Sequence, residues 1–177
     1  PVWVIRLAKF CADGLIFWLP LQLVFGWVRG TFASRLVMLE VLLACLSGLL
    51  ISSLIGTFWP HSRPFVLELG RTLLAHAPDA SFPSDHTVIL AAAAASFWLQ
   101  GWRRSGGLLV VLTLVTGWAR IYVGVHFPFD ILGGLALGLC CAWFGRRFAS
   151  RLVAVLLPCA QRLYGFLLFP LIRLGWF

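Results

Sequence analysis

The chain has 177 residues, 61% of them hydrophobic and only 11% charged, with a mean hydropathy of +0.96. A water-soluble domain carries about 25% charged residues and keeps much of its surface exposed at this size, so a soluble fold is excluded and lipid is the solvent. The net charge of +8 comes from arginines standing singly or in pairs between apolar runs, which argues against a nucleic-acid face and for anionic headgroups or a phosphorylated substrate.

A helix needs about 20 apolar residues to cross the roughly 30 Å hydrocarbon layer, and its backbone groups must be satisfied within the segment. Five segments meet that need, near 10–28, 36–57, 84–102, 106–125 and 130–145. A sixth, near 152–172, is long enough but carries Pro158, Arg162 and Pro170, and either spans or lies partly in the interface. The expected fold class is therefore all-α. It is a polytopic membrane helical bundle of five to six transmembrane helices, forming one membrane-embedded domain over 1–177. The run Ala91–Ala95 suits close helix packing. Because the sequence opens on Pro1 rather than Met, further N-terminal residues are expected, and the first apolar segment lacks a signal-peptide cleavage pattern. Cys11, Cys45, Cys140, Cys141 and Cys159 lie in apolar stretches without CxxC spacing, and read as free thiols rather than metal ligands.

If the five segments alternate, three arginine-bearing loops share one side: Arg29 with Arg35, Arg103 with Arg104, and Arg146, Arg147 and Arg151 together. The positive-inside rule makes that side cytoplasmic, with Arg6 and Lys9 opposing the bias. The polar loop of 58–83 and the turn of 120–130 then lie on the external face. Arg63, Ser84, Asp85, His86, Arg120, His126 and Asp130 gather there, and ionisable residues at the ends of apolar helices are costly enough to signal a site.

Pro83-Ser84-Asp85-His86 opens a helix, with proline suited to the first turn and Ser84 or Asp85 able to cap the free amides. The same N–H groups and dipole end suit a phosphate, although taken alone a plain N-cap is the better reading. His126 and Asp130 stand four apart across Pro128, so they can meet over one turn. An aspartate accepting from one ring nitrogen would leave the other free as base or nucleophile; a bond that merely stabilises a turn is equally open. Arg63 and Arg120 offer planar forks matched to phosphate oxygens, whereas Arg71 and Arg173 are read as cations snorkelling to the headgroups. Two histidines, two arginines and helix N-termini can transfer a phosphoryl group without a metal. With only six acidic residues in all, a carboxylate-rich metal site is disfavoured, so no metal and no cofactor is expected.

These residues resemble the type 2 phosphatidic acid phosphatases, whose pattern is Lys-x6-Arg-Pro, Pro-Ser-Gly-His and Ser-Arg-x5-His-x3-Asp. The third motif matches at Arg120, His126 and Asp130, with Ala119 in place of serine; the second is Pro83-Ser84-Asp85-His86, with Asp85 in place of glycine. Of the first, Arg63-Pro64 is present, and Gly56 stands where the lysine belongs. The resemblance implies His126 as nucleophile through a phosphohistidine, Asp130 orienting it and His86 as general acid. It implies Arg63, Ser84 and Arg120 as phosphate ligands; Asp85, where the family has glycine, is grouped with them on this sequence alone, either tuning the charge of the phosphate site or capping the helix. His61 and His76, in the same loop, are read as surface or headgroup residues. The form Ser-Phe-Pro-Ser-Asp-His-Thr, with Arg-Pro-Phe upstream, is similar to the bacterial subgroup acting on undecaprenyl diphosphate, which recycles the lipid carrier of peptidoglycan synthesis and can confer bacitracin resistance. That resemblance implies a multi-pass protein of the bacterial cytoplasmic membrane, its site facing the periplasm or exterior, with a lipid diphosphate and membrane lipids as partners. Phosphatidylglycerophosphate, phosphatidate or lipid A phosphates are the alternative substrates. A lipid-phosphate binding or transport protein is the non-enzymatic alternative, against which the pair His86 and His126 speaks.

Overall fold

A computed structural model describes residues 1–148 and 150–173, and among these every regular element is helical. The helices are α1 (Val2–Asp13), α2 (Trp18–Val28), α3 (Phe32–Phe58), α4 (Asp85–Leu99), α5 (Arg103–Tyr122), α6 (Pro128–Phe148) and α7 (Ser150–Arg173). A 3-10 turn at Leu15–Phe17 joins α1 to α2. Among the described residues, four stretches are long and apolar enough to cross a membrane: Val2–Val28, Phe32–Phe58, Arg103–Tyr122 and Pro128–Phe148. The shorter apolar helix Asp85–Leu99 corresponds to the third of the expected segments, and the sixth is helical as α7. The protein is a multi-span membrane protein.

The first segment begins earlier than expected, at Val2. Arg6 and Lys9 are exposed while Ala8, Cys11 and Ala12 are buried, so the charges ride on the outer face of a helix whose inner face packs on α5. A hydropathy window averages the two faces and misses such a helix.

Helix α4 is the hub, packed by α3, α5 and α6. Its residues Val88, Leu90, Ala91, Ala92, Ala93, Ala94 and Phe97 are all buried, and the four alanines let the neighbouring helices approach closely, as small residues do in membrane bundles. Leu21, Leu50, Leu114 and Leu139 are among the many large apolar side chains on the outside. The α4–α6 seam depends on glycine. A Cβ on Gly138 would lie 2.7 Å from the Val88 carbonyl oxygen and 2.8 Å from Ala91 Cβ, and one on Gly134 would lie 2.9 Å from the Ser84 carbonyl oxygen.

Gly138→Ala should therefore lower the melting temperature in detergent, although alanine is favoured over glycine in a helix by about 1 kcal/mol. Gly145→Ala, whose Cβ would find only Ala44 Cβ at 3.9 Å, should leave it unchanged or raised. Equal behaviour of the two variants would contradict this account of the seam.

The chain alternation puts the α2–α3, α4–α5 and α6–α7 connections at one end of the bundle. There Arg35 donates to the Trp27 carbonyl at 3.0 Å and Arg146 meets Glu40 at 3.7 Å. The opposite end collects the C-termini of α3 and α5, the N-termini of α4 and α6, and the long loop of 59–84.

Candidate active site

The close α4–α6 seam sets two helix N-termini side by side, and the Ser84 amide donates to the Asp130 carbonyl at 3.0 Å. Pro128 opens α6 in the position where its missing N–H costs nothing. Two residues on, the Asp130 carboxylate reaches back to accept from the Phe127 amide at 2.8 Å, as third-position acids do at helix starts. The same Oδ2 accepts from Ser81 Oγ at 2.5 Å and lies 3.2 Å from His126 Nδ1. Asp130 is thus buried and held by three donors.

His126, only 3% exposed, is gripped from both ring nitrogens. Arg63 Nη1 lies 3.2 Å from Nε2. A guanidinium can only donate, so Nε2 is the acceptor and carries the lone pair, and Nδ1 carries the hydrogen turned to Asp130. Burial holds the imidazole below the ordinary histidine range, with Arg120 and Arg63 pushing the same way against the Asp130 hydrogen bond. At neutral pH the ring is therefore a neutral base with its lone pair facing a cation.

Arg63 commits four of its five N–H donors to this geometry. Nε donates to Asp79 at 2.8 Å, Nη1 also to the Val125 carbonyl at 3.0 Å, and Nη2 to the Ala80 carbonyl at 3.2 Å. It staples the long loop to the α5–α6 turn.

Arg120 is 1% exposed at the end of α5. Its Nη1 donates to Asp13 at 2.9 Å and to the Ala12 carbonyl at 3.2 Å, and its Nη2 to His76 Nε2 at 3.0 Å. Its buried Nε has no acceptor among the described residues. An unmet buried donor costs about 1–3 kcal/mol, a deficit that an anion between the arginines would remove.

His86 stands on the first turn of α4, two residues beyond Ser84, at the same end of the bundle. Ser84 is fully buried, and its hydroxyl accepts from Thr87 at 3.2 Å without capping the helix amides. Asp85 stands at the rim, its carboxylate accepting from Ser52 on α3 at 2.5 Å. All seven residues singled out in the sequence thus lie at one end of the bundle. Arg63, His126 and Asp130 are in direct contact, and Arg120 is joined to them through His76, whose ring centroid lies 6.5 Å from that of His126.

The sequence model of the PAP2 superfamily matches residues 37–154. The chain belongs to the PAP2 superfamily. It is 43% identical over 139 residues to YbjG of Escherichia coli (strain K12), covering 77% of this chain and 69% of that protein. It is 38% identical over 126 residues to the undecaprenyl-diphosphatase BcrC of Bacillus subtilis (strain 168), covering 71% of this chain and 65% of the relative. The chain thus spans about two thirds of the length of these curated relatives. Among solved structures, Aquifex aeolicus LpxE shares the fold with a TM-score of 0.65 at 24% identity, over 83% of this chain and 85% of that one.

The PAP2 match begins at residue 37, so α1 and its Asp13 lie outside it. Where the family pattern has lysine, Gly56 is closed in: a Cβ there would sit 3.1 Å from Ala80 Cβ. The loop that carries Arg63 and Asp79 folds directly onto that position. His76, read from sequence as a surface residue, instead accepts from Arg120 and lies 3.6 Å from Asp79, so it belongs to the cluster. His61 keeps to the surface, packed edge-on against Trp59 at 4.4 Å between ring centroids. Asp13, Ser81 and Asp79 were also missed as site residues. The one available signal was that acidic and imidazole groups are so few in this chain that each outside an apolar run warrants a role.

Proposed function

We propose that this chain is an undecaprenyl-diphosphate phosphatase, releasing undecaprenyl phosphate and inorganic phosphate through a phosphohistidine on His126. One observation carries the reading: the lone pair of His126 Nε2 faces the Arg63 fork while Asp130 holds Nδ1. Phosphate entering between Arg63 and Arg120 would take the guanidinium hydrogen bonds and present its phosphorus to Nε2. As the N–P bond forms, the bond to the bridging oxygen breaks, and His86, which takes up a proton when the diphosphate's charge offsets the surrounding arginines, supplies it to the departing lipid phosphate. Arg63, Arg120 and the α4 terminus at Ser84 hold the equatorial oxygens, and Asp85 at the rim limits how many negative charges the site admits. Water then attacks the phosphohistidine, giving its proton to His86. Support for the substrate comes from BcrC, whose name gives undecaprenyl diphosphate, and from a diphosphate's need for several cations at a membrane surface. The arginine-rich end would face the cytoplasm and the site the exterior of the bacterial cytoplasmic membrane.

The test is a substrate panel in detergent. Undecaprenyl diphosphate should release phosphate faster than phosphatidylglycerophosphate, phosphatidate or lipid A, in the presence of a chelator and with inhibition by vanadate. Faster release from another lipid would overturn the substrate. Loss on chelation, restored by magnesium, would overturn the metal-free scheme.

The depressed His126 value fixes the sign of one pH effect. The nucleophile is the neutral ring, so the acid limb of kcat/KM that belongs to His126 should lie below the ordinary histidine value of about 6.5. A one-proton acid limb centred above that value would contradict the assignment.

A further inference from the structure

A cavity of about 550 Å³ opens beside His126, and Arg71 stands on its wall with Tyr122, Ile5, Leu69 and Leu73. The position of Arg71 is fixed by backbone. The Leu73 amide donates to the Val123 carbonyl at 2.9 Å, which lays the loop along the turn that leads to His126. Gly124 has φ of +81°, and a Cβ there would run into the Arg71 carbonyl oxygen, so only glycine lets the two segments touch.

The charges differ in kind. Arg63 is paired with Asp79 at 2.8 Å and Arg120 with Asp13 at 2.9 Å, whereas Arg71 takes part in no ion pair among the described residues. An exposed arginine, outside any ion pair among the described residues, thus lines the same cavity as His126, beyond the two arginines already balanced by carboxylates. The remaining walls named above are largely apolar.

We infer that Arg71 binds the phosphate that stays on the lipid and so selects diphosphates over monophosphates. This rests on the phosphatase reading above. With the terminal phosphate held by Arg63 and Arg120 at His126, the second phosphate lies one bridging oxygen away, toward the cavity. The apolar wall then receives the first prenyl units. When the bridging P–O bond breaks, the electron pair stays with the lipid phosphate, and a guanidinium there meets the charge as it develops. Snorkelling to the headgroups would need none of this geometry.

The experiment compares farnesyl diphosphate with farnesyl monophosphate, for the wild type, Arg71→Gln and Arg71→Lys. The wild type should prefer the diphosphate in kcat/KM. Arg71→Gln should lower the diphosphate-to-monophosphate ratio by about 10-fold or more, and Arg71→Lys should restore part of it. Equal losses on both substrates would mark a structural role and overturn the inference, as would a ratio unchanged from wild type. Equal release from both substrates by the wild type would overturn the diphosphate reading itself, a failure visible before any variant is made.

Discussion

His126→Ala is expected to lower kcat by about a thousandfold or more while the protein still folds and binds lipid diphosphate. The size follows from what is removed: no second group shares the nitrogen that receives phosphorus. Folding should survive because the neighbours keep other partners. Asp130 retains donors from Ser81 and the Phe127 amide, and Arg63 retains Asp79 and the Val125 and Ala80 carbonyls. Phosphate release beside equilibrium binding of a labelled lipid separates chemistry from binding. Turnover unchanged by the substitution would remove the mechanism, and lost turnover with retained binding would exclude a pure lipid-phosphate binder.

Asp130→Asn should cost about 10² to 10⁴ in kcat with little change in KM, by analogy with acids that orient a catalytic histidine. The amide is nearly isosteric and can still accept from Ser81 and Phe127, so the α6 start should hold. It carries no negative charge to steady the ring as His126 becomes cationic on phosphorylation, and it lets the Nδ1 hydrogen move to Nε2, where the lone pair is needed. The acid limb of kcat/KM should also move to lower pH, because the Asp130 hydrogen bond raises the His126 value. A variant losing only KM would show that Asp130 binds substrate instead.

What could be read from sequence and what could not divides along a physical line. His126 and Asp130 were legible because helix periodicity alone brings residues four apart together, and Pro83 and Pro128 mark helix starts where anions bind. The bundle was legible because apolar run lengths are set by the membrane. His76 was not, because no period governs the path of a 26-residue loop between Phe58 and Asp85. Asp13 was not, because its partner Arg120 lies 107 residues away and nothing local to α1 says that it ends beside α5. Gly56 was legible as a departure from the family pattern, but its reason, the Ala80 methyl pressed against it, exists only in three dimensions. Asp13 and Asp79 share one reason: each is the distant counter-charge of a buried arginine.

Capture of the phosphoenzyme tests the central claim most directly. Wild-type protein mixed with a prenyl diphosphate labelled in its terminal phosphate, quenched in denaturing base and digested, should yield a base-stable, acid-labile label on the peptide containing His126. Label on His86, His76 or any other residue, or no label while phosphate is being released, would contradict it.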